Sequence, residues 1–155
     1  LYGGFVNAEA ASAVAQEVFA ERGIELPEKD DESPSREELD ARGHAVMSEL
    51  LGARSTQGYD SADNPVTTAL YSAAIRYGYG ELWNRPGLER QERMLVAVAA
   101  FAALRLTGQL SKFAQSAMNT GLTEEQVIEA VVQTAPYGGF PPALNGLAVL
   151  SEVLR

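Results

Sequence analysis

The chain has 155 residues, enough for one domain with a core of its own, and 46% hydrophobic against 21% charged residues is an ordinary globular balance. Twelve Lys and Arg against 21 Asp and Glu leave a net charge of −9, a field that repels phosphate backbones and anionic membranes, so nucleic-acid and membrane partners are set aside. The absence of cysteine rules out disulfides, thiolate metal sites and dithiol redox chemistry, and with His44 the only histidine, no histidine-based metal cluster can form.

The punctuation is helical throughout. Residues 7–22 carry small and apolar positions at helical spacing (Ala10, Val14, Val18), and Gly23 follows as a stop. Residues 24–34 hold Pro27, Pro34 and much of the acidic excess, and read as a solvated linker. Ser35 with Glu38 forms a capping box for a helix that runs to Leu51, with Leu39, Val46, Met47 and Leu50 as its apolar stripe and Gly52 as its stop. After a polar loop over 53–63, Asn64-Pro65 starts a helix to about Tyr77. Gly78, Gly80, Pro86 and Gly87 are expected to break the chain around residues 81–85.

Residues 89–106 form the most apolar helix, with Val96, Val98, Phe101 and Leu104 prominent, and belong at the centre of a bundle. Its apolar run, Met94 to Leu104, is 11 residues, too short to span a bilayer. A helix over about 109–119 ends at Gly121. Thr123 with Gln126 caps the next, whose core face is Val127, Ile128, Val131 and Val132, and Pro136 ends it. Pro141 and Pro142 open the last helix, 142–154. No stretch has strand periodicity, so the fold class is all-α, a bundle of about six to seven helices.

An internal repeat links the two ends. Shifting by 135 residues aligns 2–18 with 137–153, and nine of 17 positions are identical, including Tyr-Gly-Gly-Phe at both helix starts. Repeats come as whole structural units. We therefore expect residues 1–23 to be the closing helix of a preceding unit, 24–34 an acidic linker and 35–155 a full unit. The chain would then be a processed or truncated piece of a tandem protein, with a companion chain as one source of the first unit.

Several segments resemble the carboxymuconolactone decarboxylase family, whose members also include alkylhydroperoxidase-D-like proteins. They are the string Tyr77-Gly78-Tyr79-Gly80-Glu81-Leu82-Trp83-Asn84-Arg85-Pro86-Gly87-Leu88, the Glu92-Arg93 helix start, Ala117 to Thr123, and Tyr137-Gly138-Gly139-Phe140-Pro141. The resemblance implies an all-helical fold that assembles as trimers, or hexamers built from them, with active sites near subunit contacts. It also implies a lactone decarboxylase, thiol peroxidase or related biosynthetic chemistry. Phe113 stands where the decarboxylase branch carries a histidine, and Leu106 and Gln109 stand where the peroxidase branch carries two cysteines. The thiol reaction is thereby closed, and the usual proton carrier of the decarboxylase is missing.

The candidate site follows from what remains. Glu81, which the resemblance places near the pocket, would be a general acid/base if an apolar setting raised its pKa, or a structural carboxylate paired with Arg85. Arg85 and Arg93 would hold a substrate carboxylate, or act as a loop clamp and a helix-start ion pair. Tyr79, Trp83 and Phe113 would line a hydrophobic pocket or pack as core. Tyr137 would donate a hydrogen bond to a carbonyl. His44 enters as the one side chain that titrates near neutrality, with a surface or interface role the plainer reading. Lys112, beside Phe113, reads as pointing outward. The expectation is a cytoplasmic, homo-oligomeric enzyme that uses no cofactor or metal. It would run a decarboxylation, isomerisation or cyclisation by proton transfer on a small carbonyl, carboxylate or lactone compound. The alternative is a non-catalytic oligomerisation or ligand-binding module.

Overall fold

A computed structural model describes residues 1–25, 33–56 and 66–154. The acidic residues Glu28, Asp30, Asp31 and Glu32 and the expected Asn64-Pro65 cap lie outside them. The described residues form α1 (Phe5–Glu21), α2 (Arg36–Leu51), α3 (Thr68–Ala74), α4 (Arg90–Ala103), α5 (Thr107–Asn119), α6 (Glu124–Val132), the one-turn α7 (Ala135–Gly138) and α8 (Phe140–Val153), with no strand among them. The all-α expectation holds.

Two expected caps are present in full. The Ser35 side chain accepts from the Glu38 amide while Glu38 reaches back to Ser35, and Thr123 and Gln126 do the same for α6. The hydrogen bonds from Ser35 hold the Glu38 carboxyl below its ordinary range. A further box, Glu89 with Glu92, opens α4.

The core gathers on α4, which packs against α5, α6 and α8. Met94, Ala97, Val98 and Phe101 of α4 meet Leu110, Phe113, Ala114 and Ala117 of α5, Val127 and Val131 of α6, and Leu150 of α8. The sequence reading placed too much of each helix inside. Val96 of α4, Leu104 just past its end, and Ile128 and Val132 of α6 are exposed, because each helix here offers the core one face.

The glycine-rich stretch after α3 is the main departure. Gly78 and Gly80 do not break the chain there; residues Ile75–Glu81 continue the helix as a wide π turn, followed by a 3₁₀ turn over Leu82–Asn84. The glycines serve packing. A Cβ at Gly80 would lie 2.2 Å from the Leu39 carbonyl oxygen, and one at Gly43 of α2 would lie 2.6 Å from that of Ile75. Crossing at bare backbone lets α2 and the π turn lie closer than side chains would permit. A further 3₁₀ turn over Gly52–Thr56 extends α2 into what the sequence suggested was loop, and carries Arg54 towards α5.

Candidate active site

The wide turn over 75–81 widens one side of the bundle, and α5 forms the other side. Between them is a cavity of about 600 Å³. Its lining includes Tyr79 and Trp83 from the turn, Phe101 from α4, and Gln109, Lys112 and Phe113 from α5. Leu51, Arg54, Tyr71, Ala74 and Gly78 complete the wall, and Leu1 and Tyr2 close over it.

The aromatic residues form a connected wall. Phe113 lies edge-on to Phe101 with ring centroids 4.8 Å apart, Trp83 is 6.4 Å from Phe113, and Tyr79 is 6.1 Å from Trp83. Burial pushes the Tyr2 phenol up to about 12, and burial raises Tyr79 further still, so both hydroxyls keep their protons at neutral pH. Two cations complete the lining, and none of the lining residues is acidic. Arg54 is fixed by its donors: one nitrogen reaches Gln115 Oε1 at 2.5 Å and the other Ser116 Oγ at 3.0 Å. An apolar chamber with two cations and neutral phenols suits an anionic ligand carrying a nonpolar body.

Of the residues singled out in the sequence, Tyr79, Trp83 and Phe113 meet at this cavity. Glu81 is outside the lining: its Oε1 accepts from Arg85 Nη2 at 2.5 Å, one helical turn on, which is the structural pairing. Arg93 is committed to backbone, donating to the carbonyls of Leu82, Arg85 and Leu88, and its burial together with the nearby Arg90 lowers its pKa. Arg90 likewise donates to the Trp83 carbonyl and to Asn84 Oδ1. These arginines clamp the loop that presents Trp83. His44 is exposed on α2, and Tyr137 is exposed at the start of the α7–α8 corner; neither lines the cavity.

Sequence reasoning passed over Arg54, placed in a loop, and turned Lys112 outward. Lys112 does reach solvent, but it also borders the cavity. The signal available was the spacing of α5: Gln109, Lys112 and Phe113 fall at i, i+3 and i+4 on one face. Gln109 and Phe113 are two of the three positions at which the resemblance locates the family's reactive side chains.

The family model for carboxymuconolactone decarboxylases matches residues 68–152, from α3 to α8. The chain belongs to the carboxymuconolactone decarboxylase family. It is 27% identical over 114 residues to a 4-carboxymuconolactone decarboxylase of Acinetobacter baylyi, covering 74% of this chain and 85% of that protein. It is 26% identical over 113 residues to a nitrosuccinic acid decarboxylase of Metarhizium robertsii, covering 73% and 79%. The family match takes in every cavity residue from Tyr71 to Phe113, whereas Leu1, Tyr2, Leu51 and Arg54 fall outside it.

Proposed function

We propose that this chain is a lyase of the carboxymuconolactone decarboxylase family that removes CO₂ from a small organic acid in the cavity beside Phe113. The observation that carries this reading is the lining: two cations and neutral phenols on an aromatic chamber, with no acidic residue among them. The two named relatives support it. Both names denote carboxylic acids with an electron-withdrawing group, a lactone in one and a nitro group in the other.

Such an acid can lose CO₂ by breaking the bond between its carboxyl carbon and the neighbouring carbon. The bonding electrons pass into the electron-withdrawing group, and the carbon left behind then takes up a proton. Lys112 is the side chain for the developing negative charge, since its ammonium is one of the two cations that border the cavity. It can also deliver the proton and regain one from solvent, which it reaches. Tyr79, kept neutral by burial, donates a hydrogen bond to the same charge. Phe101, Phe113 and Trp83 exclude water from the carboxylate that leaves. Glu81, Arg85 and Arg93 act as positioning residues, holding the 81–88 loop and through it Trp83 and Tyr79.

CO₂ release from a panel of lactone carboxylates, β-keto acids and β-nitro acids, measured for wild type, Lys112→Met and Tyr79→Phe, tests this. Wild type should turn over at least one class. Lys112→Met should lower kcat/KM by about 10²-fold or more, the size of loss expected for one charge-stabilising group. Equal rates in wild type and Lys112→Met would remove the assigned role. One observation favours a second reading, a ligand-binding module: Phe113 supplies no proton where the resemblance expects an imidazole. Saturable binding of these acids with no CO₂ release would select it.

A further inference from the structure

The same four residues open α1 and α8, and the backbone repeats with them. Gly4 caps α1 at φ 82° and ψ 162°, and Gly139 caps α8 at φ 96° and ψ 152°. Each glycine lies in a region closed to other residues, and each is followed at once by a phenylalanine at the first helical position.

The two copies differ in what surrounds them. Tyr2 is seated at the cavity, edge-on to Phe101 with centroids 4.6 Å apart, and its hydroxyl accepts from Trp83 Nε1 at 3.3 Å. Phe5 tilts over Tyr77 at 5.5 Å but stays 68% exposed, much as its match Phe140 does at 72%. The tyrosines differ: Tyr2 is half-buried and Tyr137 is 90% exposed. The opposite faces show the reverse. Ala143, Gly146 and Leu150 of α8 are buried in this unit, while the matching Ala8 and Ala11 of α1 are exposed and Ala15 is half-buried. One copy of the motif has its inward face packed and its tyrosine bare; the other has its tyrosine seated and its inward face mostly bare.

We propose that Tyr137 and Phe140 of one molecule dock at the cavity mouth of a second copy, in the seat that Tyr2 and Phe5 take here. The lining of each cavity is then completed by a tyrosine from the start of a closing helix. Identical side chains on matching backbone present the same shape and the same hydroxyl to Trp83 and Tyr77. The two occupants compete. Tyr2 belongs to the same chain, which gives it an effective concentration on the order of millimolar, so docking between copies emerges when Tyr2 is weakened or the protein is concentrated. This docking concerns the cavity assigned above to decarboxylation, but it rests on the repeat and on packing and stands whether or not CO₂ is released.

Trp83 is the only tryptophan and reports on the seat directly. A peptide of residues 137–153, titrated into the full chain carrying Tyr2→Ala and Phe5→Ala, should shift Trp83 emission saturably. The same peptide with Tyr137→Ala and Phe140→Ala should not. No shift in a variant whose circular dichroism shows it folded would overturn the docking. If that variant does not fold, the cysteine-free background allows a second measurement. Chains with Tyr77→Cys and chains with Phe140→Cys, mixed and oxidised, should give a covalent heterodimer well above that from Val96→Cys with Phe140→Cys; equal yields would refute it. Neither readout depends on turnover, so a failed activity panel and failed docking remain separate results.

Discussion

Tyr2 joins the amino-terminal segment to the cavity, and its ionisation offers a measurement on a single side chain. Burial raises its pKa from 10.0 to about 12, so the folded state favours the neutral phenol. The sign follows from proton binding. Between these values the folded chain holds a proton that the unfolded chain has released, so stability falls as pH rises. The contribution is complete below about pH 10, the ordinary phenol range, and is lost as pH climbs through 12. Tyrosinate absorbance should therefore show ionisation persisting as pH climbs towards 12, with Tyr2→Phe removing one late step and weakening the alkaline fall in stability. Ionisation of all six tyrosines in one step near pH 10 would contradict it. Phe113 sets a second expectation. Phe113→His would place a polar ring on an aromatic wall, which costs about 1–3 kcal/mol in denaturant unfolding unless the imidazole finds a partner in the cavity. At this scale Tyr79 and Trp83 were legible as aromatics in a glycine-rich string, and Phe113 because it stands where the resemblance expects a histidine. Glu81 was harder to place: a carboxylate four residues before an arginine on a helix can always pair with it, and nothing in sequence decides whether it does.

At the scale of elements, starts were more legible than interiors. Ser35 with Glu38 and Thr123 with Gln126 are short-range chemistry, complete within four residues, and both boxes formed as expected. The π turn over Ile75–Glu81 was not legible, since Gly78 and Gly80 serve local flexibility and close packing equally well in sequence. Only the partner element decides, and here it is the backbone of α2. The consequence is testable. Gly80→Ala sets a methyl 2.2 Å from the Leu39 carbonyl oxygen, a contact that no rotamer relieves. The π turn and α2 must separate, and the expected loss is at least about 1–3 kcal/mol of unfolding free energy, the range for overpacking. Because the same turn carries Tyr79 towards Trp83, the shift should also change Trp83 emission in the folded state. Gly108→Ala is the control, since a Cβ there meets nothing within 4 Å. Equal midpoints for the two variants would show that the close crossing carries no stability.

For the whole molecule, α1 is the longest helix and, like the short α3 and α7, holds no buried residue. It has 17 residues and none of them is buried, while α4 has its apolar side in the centre of the bundle. Most helical stability in a folded protein comes from packing, so α1 depends on its contacts. At its start these are Leu1 and Tyr2 over the cavity and Phe5 on Tyr77, with Ala15 and Phe19 half-buried further on. An element held by few buried groups opens without the rest. Native-state hydrogen exchange on dilute protein should therefore show α1 amides exchanging orders of magnitude faster than those of α4. Tyr2→Ala should speed α1 further and leave α4 unchanged. If α1 exchanged as slowly as α4, it would have to unfold with the core, and its first residues could not yield their seat to another molecule. Fast exchange that slows as protein concentration rises would instead show that the bare face of α1 is covered when copies meet.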